Sequence, residues 1–199
     1  MISTKKKLIT MICAMAIITM SFVFGTVAYF TETITSKENS IIATGSVKAE
    51  VSIKTTAFDA SLDDDLLHVL PGYSFKKTVT AKNIGAYPIY VRARIDAVLS
   101  LAEKYQGRED EINYDYILYD IDFDNWIYSD GYYYYKTPLY KGETTPSLIK
   151  KISFSTEMDN FYKDSTAYVK VRVEIVQSNG NGTSVLDAVG WPDSEGGEY

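Results

Sequence analysis

The sequence predicts an all-β protein: an antiparallel, jelly-roll-like β-sandwich behind an N-terminal signal helix, with few short helices. Three observations carry this. Apolar and polar residues alternate at a period of two along several segments, Gly, Pro and Asn punctuate the chain between them, and helical periodicity is thin. Strict alternation marks a strand with one buried and one wet face. Many such strands separated by turns pack as a sandwich rather than as a parallel sheet.

The N-terminus carries Lys5, Lys6 and Lys7, followed by an apolar run from Leu8 to Val27. Thr26, Val27 and Ala28 then place small residues at a cleavage site before Tyr29. Charge, apolar run and small residues in that order form a secretory signal. The run is nearly long enough to span a bilayer, so an uncleaved anchor is the alternative. Cys13 lies inside it, without the small residues a lipoprotein site needs. Residues 29–45 form a Pro-free arm of strand character, and residues 46–178 form the sandwich.

Within the sandwich, Val47, Ala49, Val51 and Ile53 alternate with Lys48, Glu50, Ser52 and Lys54. Ile89, Val91, Ala93, Ile95, Ala97 and Leu99 repeat the pattern, as do Val169, Val171, Val173 and Ile175. Shorter strands are expected over 75–81, 116–124 and 148–154. Turns fall at Pro71-Gly72, Asn83-Ile84-Gly85, Asp130-Gly131 and Asn179 to Gly182. Residues 100–105 and 186–189 are candidates for short helices, the first capped by Ser100 with Glu103 three residues on. Residues 179–199 read as a polar tail, with no L-P-x-T-G sorting signal.

The formal net charge is −6, and loss of the signal removes three lysines and no acid. That balance argues against nucleic acid, whose phosphates reward clustered Lys and Arg. The single cysteine lies in the signal, so no disulfide is expected in the exported chain. One core is sufficient at this length. No cofactor is expected.

The candidate motifs mostly resolve into structural roles. His68 is the only histidine, so neither an H-E-x-x-H zinc helix nor a histidine-based triad can be assembled around it. It reads as a loop residue. Asp120, Asp122 and Asp124 have the spacing that opens a calcium loop. Asn125 and Gly131, however, stand where that loop needs Gly and Glu. Alternation with Tyr119, Ile121 and Phe123 makes them the acidic outer face of a strand, and a metal site the weaker alternative. Asp63-Asp64-Asp65 reads as a solvated loop.

The run Gly131 to Lys136 contains four consecutive tyrosines. With Asp130-Gly131 as a two-residue type I′ turn, Ser129 faces Tyr132 and Trp126 faces Tyr135 across a hairpin. Tyrosines on both faces cannot all enter one core. Trp126, Tyr128, Tyr133 and Tyr135 are therefore the candidate surface aromatic patch, suited to self-association or a glycan.

Three segments carry a family resemblance. Thr26 to Thr31, Ser36 to Asn39 and Ile42-Ala43-Thr44-Gly45 lead into an alternating strand. Leu70-Pro71-Gly72 precedes Lys76 to Val79 and Asn83-Ile84-Gly85. Val171 to Val176 precedes Gln177-Ser178-Asn179-Gly180. Together they resemble TasA/camelysin-type exported proteins of Gram-positive bacteria, while residues 99–164 carry no such match. The resemblance implies a jelly-roll sandwich, cleavage by a SipW-type signal peptidase before an aromatic-containing start, and assembly into biofilm matrix fibres. Camelysin-type relatives are classed as metalloproteases. The single histidine leaves that activity without ligands, so it stays a remote alternative.

The expected function is a secreted structural protein of the matrix or cell surface, either a fibre subunit or an accessory subunit. Its mechanism would be strand donation, in which Phe30, Ile34, Ile41 and Ile42 of the freed arm fill a groove in the next subunit. The expected partners are the signal peptidase and a second copy or another matrix protein. Membrane contact is limited to the signal before cleavage. A monomeric adhesin using its exposed aromatics is the competing class.

Overall fold

The computed structural model describes residues 33–35, 40–44, 47–56 and 66–191. In chain order the strands are β1 (Thr33–Thr35), β2 (Ser40–Thr44), β3 (Val47–Thr56), β4 (Leu66–His68), β5 (Ser74–Asn83), β6 (Ile89–Ser100), β7 (Ile117–Ile121), β8 (Trp126–Ser129), β9 (Tyr132–Tyr135), β10 (Ile149–Phe154) and β11 (Thr166–Gln177). They form two antiparallel sheets. A six-stranded sheet runs β1-β11-β6-β9-β8, with β4 also paired to β11, and a five-stranded sheet runs β2-β3-β5-β10-β7. The all-β sandwich expected from the alternation is the fold.

Alternation decides which side chains enter the core. Val47, Ala49, Val51 and Ile53 of β3 are buried, as are Val79 and Ala81 of β5. From the other sheet Ile89, Val91, Ala93 and Leu99 of β6 meet Val169, Val171, Val173 and Ile175 of β11 in the same cluster. Apolar side chains leaving water in this way supply the main drive for folding. Two inward positions of β5, Lys77 and Asn83, break the rule. Lys77 on β5 is buried, and its ammonium donates to Thr55 Oγ1 at 3.1 Å.

The expected helices are smaller than the sequence suggests. The segment after β6 holds three separate 3₁₀ turns, Glu103–Tyr105, Glu109–Glu111 and Tyr114–Tyr116, and the first has Ala102 as its N-cap without a side-chain bond, so Ser100 does not cap it. Residues 186–189 form no helix. The strand expected over 116–124 is confined to β7, because the backbone turns back at Asp122.

The boundary at 178 also moves. Val185 and Ala188 are buried, and with Trp191 they cover Tyr90, Tyr132, Tyr134 and Val176 on the outer face of the six-stranded sheet. Residues 179–191 are thus packed structure rather than tail. Asn181 fastens the return: its Nδ2 donates to the carbonyls of Gln177 and Val189, and its Oδ1 accepts from Val189 N–H.

Candidate assembly surface

The order of strands gives the sandwich two unlike lateral sides. On one side lie β1 and β2, each at the edge of a different sheet; on the other lie β8 and β7. An edge strand presents unpaired N–H and C=O groups to whatever arrives, so the two sides are the places where another strand can add.

The first side holds the described part of the arm. β1 pairs with β11, with Ile34 opposite Val173, and β2 pairs with β3, placing Ile41 opposite Glu50 and Ile42 opposite Ala49. The arm therefore lies on its own two sheets. Ile41 is 62% exposed, so it fills no groove within this chain. The coverage of β11 is piecemeal. β1 reaches positions 172–174 and β4 reaches 166–168. Phe30 and the cleavage residues Thr26, Val27, Ala28 and Tyr29 lie outside the described residues.

The second side carries the aromatic hairpin. Asp130 and Gly131 both have positive φ, 49° and 82°, as a type I′ turn requires. The register is Trp126 opposite Tyr135 and Ser129 opposite Tyr132. The expected patch divides. Trp126 is 2% exposed and belongs to the sandwich core, where the Tyr135 ring packs on it at 5.5 Å. That corrects its assignment to the surface. Tyr133 and Tyr135 point inward and are half-buried, while Tyr132 and Tyr134 point outward and are buried under residues 185–191. Both faces of β9 are covered because the chain returns across the outer one.

What stays at the surface is a smaller group beside the free edges. Tyr128 is 55% exposed and Phe123 58% exposed, and both rings rest against Tyr133 at 4.9 and 6.4 Å. Leu118 of β7 and Ile127 of β8 are exposed as well, Ile127 on the opposite face of β8 from Tyr128. Phe123, which the sequence placed within a strand, joins the group because the chain turns at Asp122.

The three aspartates do not converge. Asp120 and Asp124 are exposed, whereas Asp122 is buried. Asp122 accepts from Asn125 Nδ2 at 2.8 Å and pairs with Lys150 Nζ at 3.1 Å, and its carbonyl accepts from the N–H groups of Asn125 and Trp126. The Asn125 hydrogen bond, with Lys150 behind it, holds its carboxyl below the usual range. Asp122 is a turn anchor, and no group of three metal-ligating side chains occurs among the described residues. His68 is exposed, at the rim of a cavity of about 630 Å³ lined also by Leu70, Met158 and Lys163.

On the outer face of the six-stranded sheet, Arg92 bonds Glu174 at 2.6 Å, and its guanidinium lies 3.9 Å from the Tyr132 ring centre and 4.6 Å from that of Trp191. Burial pushes the Glu174 carboxyl up, against the opposing pull of Arg92. Alternation places Arg92 and Glu174 on wet faces, and Trp191 stands in the segment read as a polar tail, so their meeting was not legible in the sequence.

Compared with protein-family models, curated proteins and solved structures, the chain matches none.

Proposed function

We propose that the chain is a secreted structural protein of the extracellular matrix or cell surface, a TasA-like fibre subunit or accessory subunit that assembles by β-strand donation. The observation that supports the reading most is the position of the arm. Its described pieces are short edge strands, one on each sheet, joined to the domain by main-chain ladders. A neighbour's arm laid on β11 and β3 would make the same ladder bonds, so exchange costs little beyond the entropy of association. Head-to-tail exchange does not close, and the product is a filament. The signal layout at residues 5–28 supports export and release of the arm by a SipW-type peptidase. The role is structural rather than catalytic.

The test compares residues 29–199 with residues 43–199 by electron microscopy and light scattering. Filaments from the longer form alone are the expected result. Equal assembly by both would remove the arm from the mechanism.

One observation favours a second reading, a monomeric adhesin: the exposed Phe123 and Tyr128, resting on the half-buried Tyr133 beside the β8 edge. In that case Phe123→Ser with Tyr128→Ser abolishes binding to a glycan array while the far-ultraviolet circular dichroism is kept. Filament formation unaffected by the pair, with no glycan bound by either protein, counts against the adhesin.

A further inference from the structure

The outer face of the six-stranded sheet carries a row whose charges and donors are left unanswered by the assembly reading. Across the β6–β11 ladder Arg92 faces Glu174 and Asp96 faces Lys170, both matched pairs. Between them Arg94 faces Arg172. Like charges placed directly opposite on adjacent strands repel. Arg94 has an answer in Asp96, whose Oδ1 accepts from its Nε at 2.9 Å. Arg172 has none: among the described residues no carboxylate lies within ion-pairing distance of it.

A second, independent observation falls in the same row. Among the described residues, two buried side-chain polar atoms have no partner at hydrogen-bond geometry, Arg172 Nε and the Tyr132 hydroxyl, and the only group set against that hydroxyl to bond it is the Arg94 guanidinium, itself a donor. Tyr132 lies beside Arg94 on the side away from Arg172, since β9 runs next to β6 with Tyr134 opposite Arg92. The two orphans therefore flank Arg94. Guanidinium groups donate and never accept, whereas a phenol does both, so Arg172 Nε and the Tyr132 hydroxyl proton are donors that the neighbouring Arg94 guanidinium cannot answer. Buried donors without partners are among the least favourable polar arrangements in a protein. An oxygen-rich anion is the group that would satisfy them.

We propose that Tyr132, Arg94 and Arg172 form a binding site for one tetrahedral oxyanion, a phosphate group. The donors come from three adjacent strands rather than from one planar fork, which suits a tetrahedral set of oxygens better than a carboxylate lying flat on a single guanidinium. Access is through Arg94, whose side chain is 41% exposed and whose partner Asp96 is 36% exposed. Its surface bond to Asp96 can open without disturbing the core. Arg92, Arg94, Lys170 and Arg172 stand against only Asp96 and Glu174 in this row, a local excess of two positive charges on a chain of net charge −6, which marks this face as one where an anion is tolerated. The source is either free phosphate or a phosphate ester within a polymer such as poly(glycerol phosphate).

The full chain, held in mild detergent, is titrated with inorganic phosphate, with poly(glycerol phosphate) and with sodium chloride at matched ionic strength. Calorimetry and the melting temperature are the readouts. Saturable binding and a raised melting temperature are expected with at least one phosphate probe and not with chloride. Binding of both probes identifies the group itself as the ligand, and binding of the polymer alone identifies a polymeric source. Arg172→Gln and Tyr132→Phe should each weaken binding at least fivefold. The phenylalanine variant keeps the ring against Arg92 and so reports on the hydroxyl alone. No saturable binding of either phosphate probe overturns the proposal, as does unchanged affinity in both variants. Neither result bears on filament formation.

Discussion

Asn83 and Asn181 are buried polar residues whose side-chain amides bond backbone groups at strand ends and in the adjoining loops. Asn83 Nδ2 donates to the carbonyls of Tyr87 and Leu139, and its Oδ1 accepts from Gly85 N–H. Asn181 does the same for Gln177 and Val189. Asn181→Ala leaves buried carbonyls and an N–H without partners, which should cost about 2–3 kcal/mol in chemical denaturation. A loss below about 0.5 kcal/mol would mean that water replaces the amide. Glu174 makes a pH-dependent prediction. Its folded pKa lies above the ordinary 4.5 because burial outweighs the attraction of Arg92. A raised carboxyl pKa means the folded state binds the proton more tightly than the unfolded state. The contribution of this group is full below pH 4.5 and is lost as pH rises through the folded pKa. Glu174→Gln should therefore gain stability relative to the parent as pH rises from 4.5, and a difference that stays flat with pH would remove the effect. The sequence showed Asn83 as a turn residue and Glu174 as a wet-face residue. It could not show their burial, because each is covered by a segment distant in the chain.

Among the elements, those whose partners are local were readable. The Asp130-Gly131 hairpin follows from two residues, since a type I′ turn needs positive φ at both and fixes the register of the flanking strands. The long strands β3, β6 and β11 follow from alternation alone. The surface patch was only partly readable, since alternation assigns Tyr132 to Tyr135 to two faces but does not say what covers either. The arm is a harder case, because strand propensity does not choose between its own sheet and a neighbour's. Two glycines test the local logic. Gly131 has φ +82° and open space around its missing Cβ, so Gly131→Ala should cost roughly 1–2 kcal/mol, the strain of the left-handed conformation alone. Gly182 has φ +80°, and a Cβ there would lie 2.9 Å from the Asp187 carbonyl carbon. Gly182→Ala should therefore cost clearly more in the same urea series. Equal costs would show that the segment from 183 to 187 shifts freely.

At the scale of the whole molecule, most strand pairings join segments far apart in sequence, and among the described strands consecutive ones pair only at β2–β3 and β8–β9. Period-two patterning fixes which face is buried but not which strand lies alongside, so sheet order was not readable from the sequence. The same non-local character explains the misplaced domain end. Residues 179–191 have no periodicity, yet their Val185, Ala188 and Trp191 close the outer cluster over Tyr132 and Tyr134. If they belong to the domain, ending the chain after Ser178 uncovers that cluster and exposes Arg92 and Glu174 to water. Losing the burial of Val185 and part of that of Trp191 alone should remove about 3 kcal/mol. The shortened chain should unfold at markedly lower urea and expose its tyrosines to solvent, read from the tyrosine bands of the second-derivative ultraviolet absorbance spectrum. A chain ending at residue 191 should keep the parent's midpoint. If ending at 178 leaves the midpoint within about 0.5 kcal/mol of the parent, the C-terminal segment is an appendage and the outer face is stable without it.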